Sequence, residues 1–400
     1  MAGVVIVGAG QGGFQVAASL RTEGYAGSIT LIGDEPHLPY QRPPLSKEYL
    51  LGKQAIEKAD LRPRAFYEAQ RVELMLGENV AEIDRTNSQV RLDSGASIPY
   101  STLVLATGAR VRKLPADIST QDILYLRGRD DAIEIKRRIE TAESVAIVGG
   151  GFIGLEIAAA ARTLGKHVTV IEAQPRLMPR VVAPVISDFY RELHSSHGVE
   201  ILFGARPIPA ADVVIAGIGV APNDDLARQA GLDLAASSGG GIAVDQFLRT
   251  SDPNIYALGD CADHASPYAA DRVRLESVQN AVDQGKCVAA NIAGRAIPYD
   301  AVPWFWTHQF DIMLQMAGLS AGAGQAITRG DPQTRKFSVF YFNSVFHFKE
   351  TGFRVNTLIA VDSINRPADH ILARKLLAAN APVTPEQAAD ESFDLKAQFL

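Results

Sequence analysis

Two short glycine clusters hold the residues best suited to chemistry in this 400-residue chain. The first, GAGQGG, places Gly8, Gly10 and Gly13 at the spacing of a dinucleotide-binding turn. The second, GGGFIG, does the same with Gly149, Gly151 and Gly154, which enclose Phe152 and Ile153. In such a turn the first glycine allows a tight bend, the second lets the backbone approach a pyrophosphate, and the third lets a helix lie close to a strand. The helix that opens there offers unpaired N–H groups and the positive end of its dipole to phosphates. Each cluster also has an acid downstream: Asp34 and Glu35 after the first, and Glu172 after the second, twenty-three residues beyond Gly149. A carboxylate in that place accepts hydrogen bonds from the adenosine ribose and repels a 2′-phosphate, which favours NAD over NADP, while the nearby Arg176 argues the other way.

A lone glycine cluster is weak grounds for a site, because most such clusters are ordinary turns. Here each one sits in the right frame. An apolar run at 4–7, a helical run at 11–23 and an apolar run at 28–32 form one strand–helix–strand unit, and 145–148, 155–164 and 168–171 form another. The two units start about 140 residues apart, a domain-sized spacing. Strands that alternate with helices predict parallel sheets. Beyond Pro303 the pattern changes, and Phe337, Val339 and Tyr341 follow the period of two that an antiparallel sheet requires. Two dinucleotide sites in one chain suggest an electron relay. A nicotinamide gives up a hydride, and a flavin accepts it and releases the electrons singly or together.

Bulk properties remove other classes. A net charge of −6 argues against a nucleic-acid surface. No apolar run approaches the length that spans a bilayer. The opening residues read as the first strand and not as a leader, so a cytoplasmic location is expected. The histidines lack metal-ligand spacing, no metal site is expected, and no Ser-His-Asp arrangement can be defended.

Further segments carry a family resemblance. TLVLATG at 102–108 and TSDPNIYALGDCA at 250–262 resemble the ATG and GD motifs of the two-dinucleotide-binding flavoprotein reductases. PYQRPPLSKEYLLG at 39–52, RLESVQNAVDQG at 274–285 and PWFWTHQFD at 303–311 narrow the likeness. They resemble the FAD-dependent ferredoxin reductases of bacterial oxygenase systems, the putidaredoxin reductase type. The resemblance runs through most of the chain. It implies an α/β fold with two Rossmann-like dinucleotide-binding domains in the glutathione-reductase-like arrangement, plus a C-terminal α+β domain. The FAD domain would span 1–109 and 227–300, the NAD domain 110–226 and the C-terminal domain 301–400. It implies FAD contacts from Gly8, Gly10, Gly12, Gly13, Asp34, Glu35, Arg42, Lys47, Val80, Ala106, Thr107, Gly108, Arg127, Asp260 and Val278, with Asp260 on the ribityl chain. NAD would meet Gly149, Gly151, Phe152, Ile153, Gly154, Glu172 and the 217–219 turn ending at Gly219. Lys47 and Glu156 would form an ion pair beside flavin N5. Trp306, with Trp304 in one aromatic cluster, covers the flavin on the face opposite the nicotinamide site, lines the acceptor side or belongs to the core.

Related enzymes with disulfide or sulfenic chemistry need a reactive cysteine early in the chain. This chain has only Cys261 and Cys287, and Leu45, Ser46 and Lys47 occupy the early position. Electrons are therefore expected to leave the flavin directly, to a [2Fe-2S] ferredoxin serving a haem monooxygenase or an aromatic-ring dioxygenase. Such a protein would use NADH and act as a monomer or weak homodimer. Arg62, Arg64, Arg335 and Lys336 are candidate docking cations, although most surface charges are merely solvated. Two other readings remain at this level: an NADH oxidase or diaphorase, marked by oxygen consumption without ferredoxin, and a redox-sensing protein like the apoptosis-inducing factors, marked by slow flavin reduction. Two segments depart from the family pattern: the short link at 204–210, where a meander is expected, and 343–356, where a brief turn is expected.

Overall fold

The computed structural model describes residues 2–115, 118, 122–204, 207–236, 239–346 and 354–399. The chain groups into two compact units. One comprises residues 1–42, 55–110 and 220–301; the other comprises 43–54, 111–219 and 302–400.

The first unit grows from the strand Gly3–Val7, whose five residues are all buried. A strand covered on both faces must be apolar throughout, which is why GVVIV shows no alternation. It pairs in parallel with Ile29–Gly33 on one side and Ser97–Leu105 on the other. Val72–Leu76 and Ile255–Ala257 extend the sheet at its two sides. The helix Gln11–Thr22 covers this sheet with Phe14, Val16, Ala17 and Leu20, all buried. It also packs tightly on the helix Val278–Ile292. A Cβ at Gly285 would lie 2.9 Å from the Cβ of Gln15, so the approach depends on the missing side chain.

The second unit repeats the parallel pattern in the order Val199–Phe203, His167–Glu172, Ser144–Val148, Val213–Ala216, Ile123–Tyr125. Its five-stranded antiparallel sheet runs from Trp304–Gln309 through Ile312–Gly318, Arg354–Ile364 and Lys336–Phe346 to Gln325–Asp331. One apolar core joins both sheets, with Ile147, Leu155 and Val170 from the parallel part and Leu314, Phe337 and Val339 from the antiparallel part. Between them lies the helix Phe152–Thr163, in which every residue from Gly154 to Ala161 is buried. A helix without a polar face must be covered all round, and this one contacts the strand His167–Glu172 on one side and Trp304–Gln309 on another.

The expected α/β class with an added α+β part is what the chain adopts. The C-terminal sheet is antiparallel, as the period of two suggests. Phe337, Val339 and Tyr341 do share a face, but Ser338, Phe340 and Phe342 on the opposite face are buried as well. The helix Pro367–Ala378 packs on the sheet, and the Ser338 hydroxyl donates to Asp369 of that helix at 2.9 Å. The period of two therefore marks pairing and not exposure. Arg329, also buried, donates to the carbonyls of Gln387, Ala388, Asp390, Glu391 and Phe393 and so ties the tail to the strand Gln325–Asp331. Among the described residues no strand lies between Val199–Phe203 and Val213–Ala216, and residues 205–206 of that link fall outside the description. In the other unusual segment the strands Lys336–Phe346 and Arg354–Ile364 pair as far as Phe346 with Arg354, and residues 347–353 fall outside the description.

Burial sets the acid response of this fold. It pushes His194, His264 and His370 from 6.5 down to about 4. It pushes Asp362 up from 3.8 to about 7, partly offset by the Tyr341 hydroxyl that donates to it at 2.6 Å. Below pH about 6.5 the unfolded imidazoles bind protons that the folded ones refuse, so stability is lost as pH falls toward about 4. Asp362 works the other way, because the folded state takes its proton first. Three partly titrated imidazoles against one carboxyl leave a net of nearly two protons, or about 2 kcal/mol lost per pH unit between pH 6 and 5. Urea unfolding at pH 7, 6 and 5 measures this; stability that rises as pH falls would show that the imidazoles are protonated inside the fold.

Candidate functional site

Both glycine turns have the shape their sequences require. Gly8 and Gly149 sit at φ +112° and +110°, a region that side chains avoid. A Cβ at Gly13 would stand 1.9 Å from the Gly8 carbonyl oxygen, and one at Gly154 would stand 2.1 Å from that of Gly149. A Cβ at Gly10 or Gly151 meets nothing within 4 Å. Each of these two is the residue from which a twelve-residue helix starts. Open space in front of a helix N-terminus suits a pyrophosphate, so both cradles fit a dinucleotide.

Around the first turn, the ATG segment closes in from the neighbouring strand. Ala106 donates to the Val7 carbonyl at 2.8 Å, and the Thr107 hydroxyl donates to the Asn223 carbonyl at 2.6 Å. Gly108 completes the bend at φ +67°. Asp34 is exposed, and Glu35 behaves differently. Burial pushes the Glu35 carboxyl up, but Arg42 at 2.7 Å and the Tyr40 hydroxyl at 2.5 Å outweigh it and hold the group below the usual range. Asp260 lies in the turn after Ile255–Ala257, where Arg274 donates to its backbone carbonyl at 2.9 Å and Gln284 accepts from Gly259 N–H at 2.7 Å. Val278 opens the long helix, capped by Ser277, and Val80 is buried in the strand Val80–Asp84.

Around the second turn, the acid is spoken for by backbone. Glu172 accepts from Gly150 N–H at 2.7 Å and from Gln174 N–H at 2.8 Å. Arg176 is committed as well, donating to the carbonyls of Val182 and Pro179 and to the Ser187 hydroxyl at 2.6 Å. Phe152 packs at a tilt against Phe305 with centroids 4.8 Å apart, while Ile153 is exposed. Gly219 ends its turn at φ +99°. Arg127 belongs to this unit, in the turn where Asp131 accepts from its backbone N–H at 2.9 Å.

The same unit contains the charged centre. Glu156, 3% exposed, accepts from Lys47 Nζ at 2.9 Å, from Ser46 Oγ at 2.5 Å and from Thr307 Oγ1 at 2.7 Å. Three donors, one of them cationic, satisfy a carboxylate that would otherwise be too costly to bury. Trp306 and Trp304 lie 5.4 Å apart on the face of the strand Trp304–Gln309 opposite Thr307, and Arg374 stands 4.9 Å over the Trp304 ring. Of the candidate docking cations, Arg335 pairs with Asp311 at 3.1 Å and Arg62 lies over the rings of Phe14 and Phe66. Both cysteines are buried, and burial raises both thiols, Cys287 to about 12. Ser46 and Thr307 were not singled out from the sequence as polar partners. Thr307 and Gln309 alternate with the tryptophans, so their place two apart on one strand was the signal that could have exposed them.

Comparison with known proteins follows this geometry closely. Residues 2–285 match the pyridine nucleotide-disulphide oxidoreductase family, and residues 304–399 match the reductase C-terminal domain. The chain is 45% identical to rhodocoxin reductase of Rhodococcus erythropolis, over 98% of this chain and 93% of that protein. A ferredoxin reductase structure from Rhodopseudomonas palustris superposes with a TM-score of 0.91 at 45% identity, covering 99% of both chains. The reductase in the covalent putidaredoxin reductase–putidaredoxin complex superposes with a TM-score of 0.91 at 38% identity, covering 100% of this chain and 98% of the other.

The two cradles separate binding from stability. Gly151→Val adds a side chain that meets no protein atom at its Cβ, so the unfolding free energy should change by less than ~1 kcal/mol while NADH binds at least about tenfold more weakly. Gly154→Ala drives its Cβ into a carbonyl and should cost about 1–3 kcal/mol of stability. Denaturant titration and NADH titration of the two variants check the contrast.

Proposed function

Because the chain belongs to the pyridine nucleotide-disulphide oxidoreductase family and carries a reductase C-terminal domain, we propose that it is an NADH-dependent reductase that passes electrons through FAD to a [2Fe-2S] ferredoxin. That ferredoxin would in turn serve a haem monooxygenase or an aromatic-ring dioxygenase. The chain is a flavoprotein oxidoreductase working with FAD and a nicotinamide dinucleotide. The observation that carries the reading is the charged centre. Glu156 gathers Lys47, Ser46 and Thr307, and the site supplies charge where sulfur-based relatives need a thiol.

When bound, FAD supplies an acceptor for a hydride and a donor of single electrons. The residues of this chain do the rest. The turn bearing Gly8, Gly10, Gly12 and Gly13 takes the FAD pyrophosphate at a helix N-terminus, with Glu35, Arg42, Thr107 and Asp260 as polar neighbours of the cofactor. The turn bearing Gly149, Gly151 and Gly154 takes that of NADH. Lys47 holds positive charge where negative charge develops, and Glu156 fixes the ammonium in place. Hydride transfer needs no proton from the protein, so position and field carry the catalysis. The reading keeps the cytoplasm as the location and a monomer or weak homodimer as the state; among the described residues no helix is long and apolar enough to cross a membrane.

Coenzyme choice follows from the second acid. The remaining acceptor capacity of Glu172 suits a ribose hydroxyl, and a 2′-phosphate would face its negative charge. Arg176, which could have offset that charge, is tied to Val182, Pro179 and Ser187. Stopped-flow reduction should favour NADH over NADPH by at least about tenfold, and Glu172→Gln should narrow the ratio. Titrating the reduced enzyme with [2Fe-2S] ferredoxins should then give reoxidation faster than oxygen does; oxygen as the faster acceptor would point to an oxidase instead.

A further inference from the structure

Glu156 does not end its own network. The Thr307 hydroxyl that donates to Glu156 Oε1 accepts from Gln309 Nε2 at 3.2 Å, and Gln309 Oε1 lies 2.8 Å from His194 Nε2. Thr307 and His194 are 0% exposed and Gln309 is 1% exposed, so water does not compete for these groups. The strand Trp304–Gln309 places Thr307 and Gln309 two residues apart on the face that meets the Glu156 helix, and His194 comes from the last turn of the helix Pro184–Ser196. All four residues lie in the second unit.

Hydrogen-bonding capacity fixes the direction of the chain. A carboxylate in an ion pair with Lys47 only accepts, so the Thr307 hydroxyl must donate to it. The lone pair of Thr307 is then free to accept from the amide nitrogen of Gln309, which turns the amide oxygen toward His194. His194 must present Nε2–H to that oxygen. Its Nδ1 is buried and, among the described residues, has no partner, which is compatible with a neutral imidazole protonated on Nε2. Burial holds this imidazole neutral by pushing it down to about 4. Every donor therefore points from His194 toward Glu156, and aligned bonds of this kind reinforce one another in a dry interior.

We infer that Thr307, Gln309 and His194 are positioning residues for the electron-transfer centre: a one-way hydrogen-bond chain that holds the Glu156 carboxylate in the orientation that presents Oε2 to Lys47 and Ser46. This rests on the reading of Lys47 and Glu156 as the centre that assists flavin reduction. No side chain in the chain changes protonation during turnover; it sets where the acceptor oxygens of Glu156 point. Without the Thr307 hydroxyl, Oε1 loses its buried donor, and the carboxylate turns to share its remaining donors.

The test uses the FAD-loaded full chain with Thr307→Val, Thr307→Ser, Glu156→Gln and the Glu156→Gln/Thr307→Val double variant. Thr307→Val should lower the limiting rate of flavin reduction by NADH about five- to tenfold with the apparent Kd for NADH unchanged, and Thr307→Ser should restore it. Thr307→Val should add nothing on top of Glu156→Gln. A readout independent of turnover comes from NMR of 15N-histidine-labelled protein. His194 should appear as a neutral imidazole with a protected Nε2–H between pH 8 and 6, and exchange of that proton should quicken in Thr307→Val. A wild-type rate in Glu156→Gln would overturn the underlying reading and the positioning role with it. A slow Glu156→Gln beside a wild-type Thr307→Val, or additive losses in the double variant, would overturn the chain alone. His194 found as the Nδ1–H form or as imidazolium would overturn it whatever the rates.

Discussion

A buried carboxylate is the constraint around which the second unit is organised. Glu156 sits in a helix covered on all sides, where an uncompensated charge would cost several kcal/mol. Its donors do not come from neighbouring residues. Ser46 and Lys47 are 110 and 109 residues away in sequence, and Thr307 is 151 away. The three pieces of the unit, 43–54, 111–219 and 302–400, each contribute at least one group to this point. The apolar core supplies most of the cohesion, but it tolerates many arrangements of similar volume. The ion pair and its two hydroxyl donors tolerate few, and they bring the loop before Leu50, the nucleotide helix and the C-terminal strand into one register.

The two nucleotide turns show how one local solution acquires two electrostatic settings. Both bend at a left-handed glycine and both leave an open place before a helix. Around the first, Glu35 is shared with a tyrosine and an arginine, and Asp34 stays in solvent. Around the second, Glu172 braces the turn itself through Gly150, and Arg176 is consumed by its own loop. An acid near a glycine turn is therefore not a single device. Its partners decide whether it is held by side chains or becomes part of the turn.

The loop segment Leu45, Ser46 and Lys47 holds no thiol, and its serine serves the buried charge. Ser46 donates to Glu156 and cannot cycle through oxidation states, and both cysteines lie buried in apolar surroundings that disfavour the thiolate.

What the sequence determined by itself was local. Left-handed glycines, apolar runs and an acid at a set distance specify a strand–turn–helix–strand unit, because backbone sterics and strand length act over a few residues. The resemblance of the longer motifs then carried the fold class. Tertiary structure decided everything that depends on meeting at long range. Phe337, Val339 and Tyr341 announced a sheet, yet only packing showed that Phe340 and Phe342 are buried on its other face too. Glu172 was legible as an acid, but its bonds to Gly150 and Gln174 were not. Nothing in the sequence marked Arg329 or His194, whose partners come from the tail and from the strand Trp304–Gln309. Residue type and spacing state which bonds a group can make, whereas the fold alone brings the other partner within 3 Å.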